Sequence, residues 1–173
     1  MRVSNNPLPA AFVLAAALMS GCAVKPAVQQ ERPIAADPSL YRTVQVVIDA
    51  PEHLRQKNGY DITADELARQ FIANVAASGK FAAVGREPAT GKGIQARLTI
   101  TDFNYVSGAA RGTTGIMAGR AVLRVNMVLT DSENGAALGS ISVGHASSHG
   151  QGVFSPVTSG QIAAIAKELS SRL

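Results

Sequence analysis

The chain has no tryptophan, one cysteine and few aromatics, five Phe and three Tyr in 173 residues. Without Trp, and with so few rings, a sugar-stacking groove has no platform. A solitary cysteine excludes a disulfide scaffold, which a secreted chain builds from an even number. Charge is also sparse, at 16 Lys+Arg and 12 Asp+Glu, scattered with no run of five or six of one sign. A nucleic-acid footprint is therefore missing, and no nucleic-acid partner is expected. The long N-terminal apolar run, Ala10 to Leu18, is about half the ~20 residues that cross a bilayer, so it reads as a signal and not as a permanent helix.

What that run leads into is informative. Arg2 supplies a positive n-region, and Met19-Ser20-Gly21-Cys22 places small residues directly before the cysteine. This looks like the lipobox of bacterial lipoproteins, with Met19 standing where Leu is commoner and Leu18 one place earlier. The expectation is cleavage before Cys22 and a thioether-linked diacylglycerol on its sulfur, which accounts for the odd cysteine. Two or three acyl chains, at ~0.8 kcal/mol per buried methylene, hold a protein on a membrane almost permanently. Ala23-Val24 follows, with no Asp to resemble an inner-membrane retention signal. The address read from the chain is thus the periplasmic face of the outer membrane, with the membrane engaged through the lipid anchor.

Residues 1–21 are then a signal peptide. Residues 22–40, with Pro26, Pro33 and Pro38 beside Gln29-Gln30 and Glu31-Arg32, read as a lipidated cysteine and an extended tether. Residues 41–173 are long enough for one globular domain with its own core.

Within that domain, Thr43 to Asp49 alternates with period two and predicts a strand. Thr63-Ala64-Asp65-Glu66 reads as a capping box opening a helix through Leu67, Phe71, Ile72 and Val75, closed by Gly79. A short strand is expected over Phe81 to Val84. Ile94 to Tyr105 is the strongest alternating run, with Ile94, Ala96, Leu98 and Ile100 on one face and Gln95, Arg97, Thr99 and Thr101 on the other. Ser107 to Gly119 is a Gly-rich connection, and Arg120 to Thr130 alternates again. Asp131 to Gly135 reads as an Asn-Gly hairpin turn, with Ala136 to about Ser147 as the returning strand. A last helix is expected from about Thr158, with Thr158 and Gln161 as a second capping box and Ile162, Ile165, Ala166 and Leu169 on its stripe. Together these give an α+β two-layer sandwich: a mixed or antiparallel sheet of about five strands with two helices packed on one face.

The run Ala96-Arg97-Leu98-Thr99-Ile100-Thr101-Asp102-Phe103, the Gly/Arg-rich loop with Arg111 and Gly119, then Val128-Leu129-Thr130-Asp131, Gly135 and a closing helix resemble one known family. This is a bacterial lipoprotein domain-of-unknown-function family (DUF4410-like), distantly similar to the periplasmic domain of curli-secretion lipoproteins. The resemblance covers roughly residues 40–173. It implies an α/β fold and an envelope location, and has no activity to lend. Where that family carries Asp in Ala-Asp-x-Leu, this chain has Arg97. The amphipathic insertions with which curli-type lipoproteins build a pore are missing from this sequence.

Nothing in the chain predicts an enzyme. His145 and His149 have the spacing that pairs imidazoles on a helix, but their Gly- and Ser-rich surroundings predict a strand end. Four residues along a strand lie ~13 Å apart, too far to share an ion, so no metal site is expected. The stretch Gly112 to Arg120 lacks the Gly-Lys-Ser/Thr ending of a phosphate loop, and no Gly-x-Ser-x-Gly elbow occurs. Asp65 and Glu66 fit a helix's first turn. No catalytic residue and no cofactor are expected. Two binding candidates remain: the polar strand face with Arg97, Thr99, Phe103, Tyr105 and Arg124, and the Gly-rich loop from Arg111 to Arg120. The function expected is a binding or assembly module that acts on an envelope protein partner, with a structural lipoprotein engaging peptidoglycan or a lipid-handling complex as the alternative. The sequence leaves the oligomeric state open.

Overall fold

The computed structural model describes residues 26–34, 37–88, 91–104, 122–146 and 157–173. In chain order these form strand β1 (Ala27–Arg32), a 3-10 turn (Pro38–Leu40), β2 (Thr43–Asp49), helices α1 (Glu52–Arg55) and α2 (Tyr60–Ala77), β3 (Ala83–Gly85), β4 (Gly93–Asn104), β5 (Val122–Asp131), β6 (Ala137–Ala146) and α3 (Val157–Ser170). The six strands make one mixed sheet in the order β1-β6-β5-β4-β2-β3. β2 runs parallel to both β4 and β3, and the other neighbours are antiparallel. α2 and α3 pack together over one face. The α+β two-layer architecture is the one the sequence implies, with one strand and one short helix added.

Alternation explains the layers. Ile94, Ala96, Leu98 and Ile100 of β4 and Leu123, Val125, Met127 and Leu129 of β5 are buried, whereas the residues between them are not. They meet Leu67, Phe71 and Val75 of α2 and Ile162, Ile165 and Leu169 of α3. α2 starts a turn upstream of the capping-box reading. Gly59, at φ +80°, turns the chain in, and Tyr60 extends the buried stripe upstream. Thr63 therefore lies inside the helix, buried, its amide donating to the Gly59 carbonyl at 3.1 Å. Glu66 accepts instead from Arg69 at 2.6 Å and Gln70 at 2.8 Å, and those bonds, Arg69 first, hold its carboxyl below the usual range.

The turn from Asp131 to Gly135 also differs in detail. Only Gly135 has a positive φ, +71°, so Asn134 is not in the left-handed region. Asp131 organises the turn, its Oδ1 accepting from the amides of Glu133 (2.8 Å) and Asn134 (3.3 Å). Its Oδ2 accepts from the Tyr41 hydroxyl at 3.1 Å. The Glu133 amide is the main reason its pKa is lowered.

β1 falls in the stretch that composition assigned to the tether. Its sequence, AVQQER, has no apolar alternation, because an edge strand carries little core. It is held by antiparallel pairing with β6, Ala27 opposite Gly144 and Arg32 opposite Ser140, with an irregularity between Val28 and Gln30. The chain then crosses β6 at Gly139. A Cβ there would stand 3.1 Å from both the Arg32 carbonyl oxygen and the Ile34 Cα, closer than ordinary contact. Gly139→Val is expected to displace this crossing, costing about 1–3 kcal/mol as overpacking does. Chemical denaturation measures the loss, and limited proteolysis should then cut first within residues 27–34.

Candidate binding surface

The sheet face away from α2 and α3 is polar, and register sets its composition. Successive cross-strand rows read Gln45–Gln95–Thr130, then Val47–Arg97–Val128–Ser140, then Asp49–Thr99–Asn126–Ser142. A further row sets Asp102 opposite Arg124 and Arg124 opposite Gly144. The Gln95 side-chain amide donates to Gln45 Oε1 at 3.0 Å, and Arg97 donates to Gln95 Oε1 at 3.4 Å.

Two ion pairs mark the surface. Arg97 stands 3.7 Å from Asp49, and Arg124 stands 3.8 Å from Asp102. The four side chains are 41–48% exposed, and neither N–O distance is short enough for a strong hydrogen bond. Such pairs contribute about 0–1 kcal/mol, so either guanidinium can be recruited by an incoming carboxylate at little cost. Asp49 is further shared with Arg55 at 3.8 Å. Arg124 lies along Gly144, its Cγ and Nε both 3.5 Å from where a Cβ would be.

Of the residues singled out in the sequence, Arg97, Thr99 and Arg124 are on this face. Phe103 is not. An irregularity between Ile100 and Asp102 resets the alternation of β4, turning Phe103 into the core, 1% exposed and edge-on to the Tyr60 ring. Cys22, Tyr105, Arg111, Arg120 and His149 lie outside the described residues. Asp49, Asp102 and Gln45 were not singled out. Asp49 meets Arg97 through a parallel register that links residues about fifty positions apart, and nothing local signals that pairing.

His145 stands on β6, its Nδ1 2.8 Å from Nε2 of Gln161, and burial holds its pKa below the usual imidazole value. Thr158 is the second residue of α3. Among the described residues, no three His, Cys, Asp or Glu side chains gather to hold a metal ion. A cleft of about 250 Å³ lies between residues 31–34, the inner face of β5 and β6 and the end of α3. At its rim Arg172 is held by Glu31 at 3.1 Å and Glu168 at 2.8 Å.

A family model described as a domain of unknown function, DUF4410, matches residues 30–150. The chain belongs to this family. Among solved structures it is similar to PelC from Paraburkholderia phytofirmans, described as a dodecamer, with TM-score 0.53 and 18% identity over 84% of this chain and 97% of that one. A single-substitution variant of that PelC, also a dodecamer, gives TM-score 0.53 and 19% identity over 86% and 99%. A DUF330 protein from Xanthomonas campestris gives 0.49 and 19% over 84% and 90%. These identities speak for the fold alone. No curated protein matches the chain in sequence.

Proposed function

We propose that this protein is a lipid-anchored envelope lipoprotein that works as a binding and assembly module, through protein contacts and without catalysis. The observation that carries the reading is the sheet face left uncovered by the helices, polar and studded with two loosely held Arg–Asp pairs. Aromatic and Arg anchors dominate interfaces, and guanidinium groups this weakly engaged are available to a partner's carboxylates. The Ser-Gly-Cys sequence at 20–22 supports the anchor, and Ala23-Val24 after it, with no Asp, supports the periplasmic side of the outer membrane. Among the described residues, no helix is long and apolar enough to cross a membrane. PelC, which shares the fold, is described as a dodecamer, so a further copy of this chain is the first partner to look for.

The test is crosslinking in cells, followed by affinity purification of the acylated protein from detergent-solubilised membranes. One stoichiometric companion, or a discrete oligomer, is expected. The double variant R97E/R124E places like charges beside Asp49 and Asp102, and is expected to weaken that association at least about tenfold while membrane location is kept. A monomer with no companion, or capture undiminished in the double variant, counts against the reading.

A further inference from the structure

β1 leaves little chain between the proposed anchor and the sheet. Ala27 is already paired, so only residues 23–26 separate it from Cys22. Five residue steps, fully extended, span at most about 18 Å. The sheet is far longer, since β4 has 12 residues and so measures roughly 36 Å end to end. An anchor at Cys22 therefore holds one end of the sheet at the bilayer and leaves the other out of reach.

Which end is fixed by register. From Ala27 the pairing runs through Gly144 to Arg124 and Asp102, and one residue further along through His145 and Leu123 to Phe103. The helical layer shares this end. Lys57 donates to the Phe103 carbonyl at 2.9 Å, and the first residue of α2, Tyr60, stacks edge-on against the Phe103 ring. Among the described residues three large hydrophobic side chains are exposed, and two of them belong here: Val28 at 41% and Ile62, in the first turn of α2, at 73%. The opposite end carries the 131–135 turn, Lys92 and the end of α3.

Resting on the lipoprotein reading, we propose that the Ala27 end of the domain sits on the phospholipid headgroups, with Ile62 and Lys57 facing the bilayer and the strands running away from it. β1 enters at its tip, and Pro26, whose φ is fixed near −65°, suits an extended approach along the strand axis. An apolar side chain beside a cationic one is the pairing an interface accepts, the aliphatic part dipping in and the ammonium staying with the headgroups. The polar face with Arg97 and Arg124 then stands perpendicular to the membrane, open to a neighbour anchored in the same plane.

The test uses the absence of tryptophan. Ile62→Trp and Glu133→Trp each give the full acylated chain one donor at an exposed position, at the near and far ends of the domain. Each is reconstituted in phosphatidylethanolamine–phosphatidylglycerol vesicles containing a dansyl-headgroup lipid. Loss of donor fluorescence is expected for I62W and little or none for E133W. Inserting about twenty Gly/Ser residues after Val24, several times the native spacing, is expected to abolish the difference. Equal transfer from both positions, or stronger transfer from E133W as in a domain lying on its β1 edge, overturns the proposed pose, as does a difference that survives the insertion. An unacylated Cys22 found by mass analysis overturns the lipoprotein reading and, with it, the pose.

Discussion

Phe103→Ala is expected to lower the unfolding free energy by about 3–5 kcal/mol, the usual cost of removing a fully buried ring. The side chain is 1% exposed and packs edge-on to Tyr60, centroids 6.3 Å apart and planes at 84°. Truncation forfeits both the transfer energy of the ring and an aromatic pair worth about 0.5–1.5 kcal/mol more. It also loosens the strand end whose carbonyl Lys57 holds at 2.9 Å. Urea titration should show the midpoint falling with the slope nearly unchanged. Arg97→Ala, nearer the other end of β4, is the control. On a half-exposed, weakly paired position it is expected to stay within about 0.5 kcal/mol. A loss below about 1 kcal/mol for F103A would place the ring on the outer face, where uninterrupted alternation from Gln95 puts odd-numbered residues, and would remove the irregularity between Ile100 and Asp102.

The contrast shows where the fold was legible in the sequence. β4, β5 and β6 announce themselves because they sit inside the sheet with helices on one side only, so burial alternates with position throughout β5 and over most of β4. α3 is legible through Ile162, Ile165 and Leu169. β1 is silent, since an edge strand held mainly by backbone hydrogen bonds needs no apolar pattern. The irregularity in β4 is silent for a different reason: Thr101 and Asp102 look like any polar step in a strand, and only pairing with β5 reveals the slipped register. The surface was half legible. Parity put Arg97 and Arg124 outward, but their partners Asp49 and Asp102 depend on contacts between strands, and for Asp49 on a parallel neighbour that no hairpin fixes in advance.

Cys22→Ala is expected to have the largest effect on where the protein is found. Cys22 is the only thiol, so labelled fatty acid should fall from full incorporation to none. Processing at the Gly21–Cys22 junction should stop with it, leaving a precursor that keeps its apolar run. To separate anchoring from processing, residues 1–21 of the C22A variant are exchanged for an ordinary cleavable secretory leader. That form is expected in the soluble periplasmic fraction, because one acyl chain alone gives only marginal binding, about 10⁴ M⁻¹, and this form has none. Its unfolding midpoint should match that of the native domain, since residue 22 lies five positions before the first paired residue of β1. Stability kept and membrane lost assigns the address to the lipid and the fold to the sheet. If the exported C22A form still sediments with membranes, the domain carries its own affinity, and Val28, Ile62 and Lys57, the exposed apolar and cationic side chains at the Ala27 end, are the first to replace.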